Sequence, residues 1–151
     1  MKKGLKLFYI GLFISLFIGG CQGNKQAEKN HFSLNNIKDL KTRQYAIEGQ
    51  VLYENHCANC HQSDGTGLGR LIPPLKNADY LKADIGRTVR LIKHGIKGEI
   101  IVNGADYNKE MPANPALTNL EIAEITTYIY TAFTGQEKII EVNKVKAFLE
   151  E

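Results

Sequence analysis

The chain has 151 residues, enough for one domain with appendages; 43% are hydrophobic and none is tryptophan. Its formal charge of +3 resides in Lys2, Lys3 and Lys6, because without these three of its 19 basic residues 16 remain to balance 16 acidic ones. A balanced body of this kind gives no footing for nucleic-acid binding.

Residues 1–20 read as an export signal. The three lysines form a basic start, and 7–20 then carries no charge while holding Phe8, Ile10, Leu12, Phe13, Ile14, Leu16, Phe17 and Ile18. Fourteen residues in a helix cover about 21 Å, short of a hydrocarbon core of about 30 Å. The stretch is therefore expected to be a signal rather than a spanning helix. Ile18-Gly19-Gly20-Cys21 resembles a bacterial lipobox, in which the cysteine becomes the lipidated first residue after cleavage. The competing readings are an ordinary signal peptide and an uncleaved anchor. Lipidation of Cys21 implies an exported protein. It would sit on the outer face of the bacterial cytoplasmic membrane or in the periplasm-facing outer membrane. Two or three acyl chains, at about 0.8 kcal/mol per buried CH₂, anchor stably where one does not.

From Gln22 the composition turns polar, with weak apolar points at Leu34, Ile37 and Leu40. Residues 21–43 are expected to form a lipid-anchored flexible tether, with an r.m.s. reach of about 25 Å for about 22 residues. The globular domain is expected over 44–134. A first helix through Tyr45, Ala46, Ile47, Gly49 and Tyr53 delivers the chain to Cys57. Gly49 costs about 1 kcal/mol relative to alanine in a helix, so a second helix crossing closely there is its best explanation.

Cys57-Ala58-Asn59-Cys60-His61 is the motif on which the rest depends. A C-x-x-C-H run in an exported chain reads as covalent attachment of haem c. Two thiols three residues apart can add to two vinyl groups on one porphyrin edge, and the imidazole of His61 then binds iron. A thioredoxin-like pair needs a βαβ context, and a zinc site needs further cysteines. With Cys21 lipidated and Cys57 and Cys60 on haem, no thiol is left for a disulfide.

The glycines of Ser63-Asp64-Gly65-Thr66-Gly67-Leu68-Gly69 follow. No strand precedes them and no Lys-Ser/Thr follows, so a phosphate loop is rejected; they let backbone approach the haem edge. A short helical turn is expected over 77–82. Asp84 then caps a helix through Ile85, Val89 and Ile92, stopped by Gly95. Lys82, Arg87, Arg90, Lys93 and Lys97 mark its outer face, either as a solvated surface or as a docking patch for acidic redox partners. Residues 99–107 suggest a small β-hairpin about Asn103-Gly104. Thr118-Asn119-Leu120-Glu121 is a capping box with Leu117 and Ile122 as its staple. Ile122, Ile125, Ile129 and Phe133 continue at helical spacing until Gly135.

Together these features resemble the class I (mitochondrial-like) monohaem c-type cytochromes, in a bacterial lipoprotein form, over roughly 44–134. The resemblance implies an all-α cytochrome c fold, its helices wrapped around one covalent haem c, with Gly49 and Tyr53 crossing against Ile125 and Tyr128. It implies that the Pro73 carbonyl accepts a hydrogen bond from His61, and that Met111, which precedes Pro112, supplies the second axial ligand. His94 is the competing ligand, but a helix end beside Gly95 favours exposure; His56 lies on the wrong side of Cys57. His/Met-ligated iron has no vacant position, which implies a carrier of single electrons rather than an enzyme. The implied partners are a quinol- or substrate-oxidising complex and a terminal oxidase or reductase. Two alternatives stand beside this: a haem enzyme or gas binder with a labile sixth ligand, and a fixed electron-transfer subunit of a larger oxidoreductase. Residues 135–151 extend beyond the resemblance. Val142, Val145, Phe148 and Leu149 suit an amphipathic helix, packed on the domain or held by a partner.

Overall fold

The structure, a computed structural model, describes residues 34–151. The expected signal, Cys21 and most of the tether lie outside the described residues. The architecture is mainly helical, with one small antiparallel hairpin. A 3₁₀ turn at Leu34–Asn36 precedes α1 (Leu40–His56) and the single turn α2 (Ala58–His61). Then come α3 (Asp79–Ala83), α4 (Ile85–His94), β1 (Ile100–Val102), β2 (Ala105–Tyr107), α5 (Asn119–Thr134) and α6 (Val142–Glu150).

The first helix starts four residues before the Gln44 expected from sequence. Asp39 caps it, its carboxylate accepting from the Thr42 amide at 2.7 Å and from the Thr42 hydroxyl at 2.7 Å. Those bonds hold the Asp39 carboxyl below the usual carboxylate range. Leu34 and Ile37, expected in the tether, are buried in the core. Polar neighbours diluted the apolar signal of this stretch.

The core centres on the crossing of α1 and α5. The Cβ direction of Gly49 runs into the Glu124 carbonyl and lies 2.9 Å from Tyr128 Cβ, so the helices meet backbone to backbone. The sequence expectation put Ile125 in that contact. Ile125 is fully buried one position further on, and the Glu124 carbonyl is what occupies the crossing. Tyr53, Tyr128 and Phe133 form a cluster beside it, with ring centroids 5.3–5.4 Å apart and tilted or edge-on. Such geometry favours aromatic pairs beyond their buried area. The Thr118–Glu121 capping box forms as expected, and Gly135 ends α5 in the left-handed conformation.

The hairpin also forms as expected. Ile100 pairs with Tyr107 and Val102 with Ala105, about an Asn103-Gly104 turn with positive φ at both residues. Asn103 exchanges two hydrogen bonds with Asp79: its amide donates to Asp79 Oδ1 (2.8 Å), and its Oδ1 accepts from the Asp79 amide (3.0 Å). The turn is thereby fastened to the start of α3.

Two open questions from sequence are resolved by packing. The 135–151 tail lies on the domain: Ile140 and Val145 are buried, the Ile140 amide donates to Thr127 Oγ1 on α5 (2.9 Å), and Phe148 rests against Gly86 of α4. Lys41–Glu141 (2.8 Å) and Arg90–Glu151 (3.0 Å) are exposed ion pairs that add little. Ile140→Ala is therefore expected to lower unfolding free energy by about 2–5 kcal/mol, read as a drop in the denaturant midpoint. A tail held only by its ion pairs would leave that midpoint unmoved.

The basic face of α4 is mostly occupied by the protein itself. Arg90 bonds the Phe148 carbonyl and Glu151, Arg87 Nη2 bonds the Tyr80 carbonyl, and Lys93 Nζ bonds the carbonyls of Pro115 and Leu117. Only Lys82 and Lys97 of the five stand exposed without such a role. A five-residue docking patch is accordingly not what this face offers.

Candidate functional site: a haem cleft

The site begins where α1 ends. Cys57 closes α1 through its amide to the Tyr53 carbonyl (2.8 Å), and the amides of Cys60 and His61 then fold back on the Cys57 carbonyl at 3.1 and 2.9 Å. One helical turn thus sets both thiols and the imidazole on a short, rigid base. Gln62 leaves that turn at φ 64°, and its carbonyl accepts the buried Tyr53 hydroxyl at 2.6 Å. Burial pushes the Tyr53 phenol far up, so it stays a donor at any ordinary pH.

His61 Nδ1 lies 3.1 Å from the Pro73 carbonyl. That contact assigns the proton to Nδ1 and leaves Nε2 free to ligate a metal. Burial holds the His61 ring below its usual value, against the opposing pull of the Pro73 carbonyl, which favours the neutral, ligating form. Burial likewise pushes the Cys57 thiol up to about 12, with a smaller push from Cys60.

The Pro73 carbonyl is held in place by Gly67. This glycine sits at φ 70°, donates to the His61 carbonyl at 2.9 Å, and would bring a Cβ to within 2.7 Å of the Pro73 carbonyl carbon and oxygen. The Gly-rich run noted in the sequence therefore has a definite task. Its backbone lies flat against the strip that orients His61.

Met111 enters from the other side of the chain. Its backbone pairs with Ile96 in both directions at 3.0 Å, and Gly95, at φ 72°, has the Met111 carbonyl against the place a Cβ would take. Asn114 extends the attachment, its amide donating to the Lys93 carbonyl (3.2 Å) and its Nδ2 to the Ile92 carbonyl (3.1 Å). The Met111 loop is thus mounted on the C-terminal end of α4.

These pieces meet. Cys57, Cys60, His61, Pro73 and Met111, all singled out from sequence, line one partly open cleft of about 930 Å³. Its other walls are mainly apolar: Ile72 and Leu75 from the connecting loop, Leu81 and Leu91 near α3 and α4, Val102 and Tyr107 from the hairpin, and Ile129 from α5. His56 and His94 are exposed and do not line it. Gly67, Gly95, Asn114 and the hairpin wall carried no sequence signal of this role, since each acts through its partner in space.

The residues fit a covalently held haem. Two thiols stand at the cleft, an imidazole with an oriented ring stands beside them, and the apolar walls suit a flat macrocycle. Among the described residues no cluster of three or more His, Cys, Asp or Glu offers a different metal site.

Comparison with known proteins agrees with this geometry. The family model described as Cytochrome c matches residues 46–133, more than half of the chain. "Cytochrome c-552" of Thermus thermophilus is 33% identical over 96 residues, covering 61% of this chain and 72% of that protein. A protein of the same name from a second strain of that species is matched over 64% of its length, a little under two thirds. "Cytochrome c-551" of Bacillus subtilis strain 168 is 31% identical over 68 residues, covering 45% of this chain and 56% of that protein. The helical architecture with its one small hairpin, the cleft with its paired thiols and imidazole, and the match over 46–133 lead to one conclusion: the chain belongs to the cytochrome c family and carries covalent haem c.

Proposed function

We propose that this electron-transfer haem protein is a membrane-tethered, monohaem carrier that passes single electrons between redox partners, with His61 and Met111 as its axial ligands. The observation that carries the proposal is the convergence of His61 and Met111 on one cleft from which the other described histidines are absent. Met111 is also the only methionine beyond the initiating residue.

Bound haem supplies the reversible one-electron change. The chain does the rest. Cys57 and Cys60 fix the ring edge covalently, and Pro73 holds His61 in the ligating tautomer. The Ile96 bridge keeps Met111 at its station, while the apolar walls exclude water from most of the ring. A thioether ligand favours the reduced state relative to a second imidazole. With both axial positions taken, none is left for oxygen or peroxide, so the protein moves charge and does not turn over a substrate. The partners fitting this role are a quinol- or substrate-oxidising complex upstream and a terminal oxidase or reductase downstream. A lipid on Cys21 would keep the carrier at the membrane that holds them.

The oxidised protein is expected to show the weak methionine-to-iron charge-transfer band, and Met111→Ala to lose it with a fall in midpoint potential. Tight carbon monoxide binding by the reduced native protein would instead make the sixth position labile and support an enzyme or gas binder. Isolation in a fixed stoichiometric complex would support a subunit role.

A further inference from the structure

Helix α1 is apolar on two opposite sides. Its inner side, Thr42, Ala46, Gly49 and Tyr53, packs in the core. On its outer side Leu40, Ile47 and Val51 are 67%, 42% and 55% exposed. At about 100° per residue these three fall within an arc of about 40°, diametrically opposite Gly49. They make up three of the seven large exposed hydrophobic side chains in the described domain. Single exposed leucines are ordinary, but a stripe in register over three turns of one helix is a surface.

We propose that this outer stripe of α1 rests on the lipid bilayer and so sets the orientation of the haem domain. The proposal builds on the reading that Cys21 carries lipid. Twelve residues separate Cys21 from Leu34, and such a segment has an r.m.s. reach of about 20 Å. The segment enters the domain next to Leu40, the most exposed member of the stripe. Lys38, Lys41 and Arg43 surround that end of α1, whereas its glutamates, Glu48 and Glu54, come later. Basic side chains around an apolar point suit an anionic headgroup layer with acyl chains beneath. No residue of α1 lines the haem cleft. Lipid on the outer stripe therefore leaves the cleft uncovered for partners in the aqueous phase.

The test uses full-length, haem-loaded protein in vesicles of phosphatidylethanolamine and phosphatidylglycerol. A nitroxide is placed at Gln44→Cys, between Leu40 and Ile47 on the stripe, or at Asn143→Cys, exposed on α6. An unchanged haem spectrum checks that each labelled protein is folded. The expected result is several-fold greater relaxation by oxygen than by a water-soluble nickel chelate at position 44, with the reverse at 143. Equal exposure of both labels to the nickel chelate in protein whose mass shows acylated Cys21 overturns the lipid contact while leaving the anchor intact. A mass without acyl chains, and no vesicle binding, overturns the anchor and the lipid contact together. Dipolar broadening between copies labelled at 44 would show a second copy on the stripe and likewise overturn the proposal.

Discussion

Gly49→Ala is expected to prevent the native crossing of α1 and α5. The added methyl would occupy the position of the Glu124 carbonyl and come within 2.9 Å of Tyr128 Cβ. Overpacking of ordinary side chains costs about 1–3 kcal/mol, and here the obstacle is helical backbone, which cannot rotate aside. The gain of about 1 kcal/mol in helix propensity from glycine to alanine does not offset that. The two helices would have to separate, opening the Tyr53–Tyr128–Phe133 cluster at the same time. A loss of about 3 kcal/mol or more is expected, from a whole domain whose stability is of the order of 5–15 kcal/mol. Denaturant unfolding of the haem-loaded protein measures it. A variant as stable as the native protein would mean that the helices do not touch at Gly49.

Gly67→Ala is expected to act on the haem centre as well as on stability. At φ 70° an alanine is strained by about 1–2 kcal/mol, and its methyl would press on Ile72 and on the Pro73 carbonyl. Relief requires the 72–73 strip to move, which loosens the 3.1 Å contact between Pro73 and His61 Nδ1. An imidazole without that acceptor is a weaker donor to iron, and ferric iron loses more from this than ferrous iron does. The midpoint potential should therefore rise, opposite in sign to the fall expected for Met111→Ala. A redox titration distinguishes the two. A Gly67→Ala protein that is destabilised but keeps its midpoint would show that the strip is structural and does not tune His61.

Several elements could be read without coordinates because their causes lie within a few residues. The C-x-x-C-H run, the Asn103-Gly104 turn, the Thr118–Glu121 capping box and the glycine stops at Gly95 and Gly135 are all local devices. Each is built from side chains and backbone that meet across one turn of chain. The start of α1 was harder. Asp39 is a good cap, but Leu34 and Ile37 lie among polar residues, and what buries them is distant in sequence. The Lys38 amide, for instance, donates to Glu137 at 3.2 Å.

The basic residues of α4 show the opposite limit. Their charge was plain in the sequence, but its use was not. Arg90 reaches the tail, Lys93 reaches the loop that carries Met111, and Arg87 stacks on Tyr80 with its guanidinium carbon 3.6 Å from the ring centroid. A run of like charges predicts a solvated face only while nothing folds back over it.

What the sequence by itself determined is the chemistry: two thiols and an imidazole at the spacing that holds one haem, a single downstream methionine, and helices with marked ends. Tertiary structure alone decided how that chemistry is held. Gly67 against Pro73, Gly95 against Met111 and Gly49 against Glu124 are contacts between residues 6 to 75 positions apart, created by the way the chain packs. The reason is physical: ligand identity is a property of side chains, whereas ligand position depends on backbone surfaces that meet only once the chain has folded.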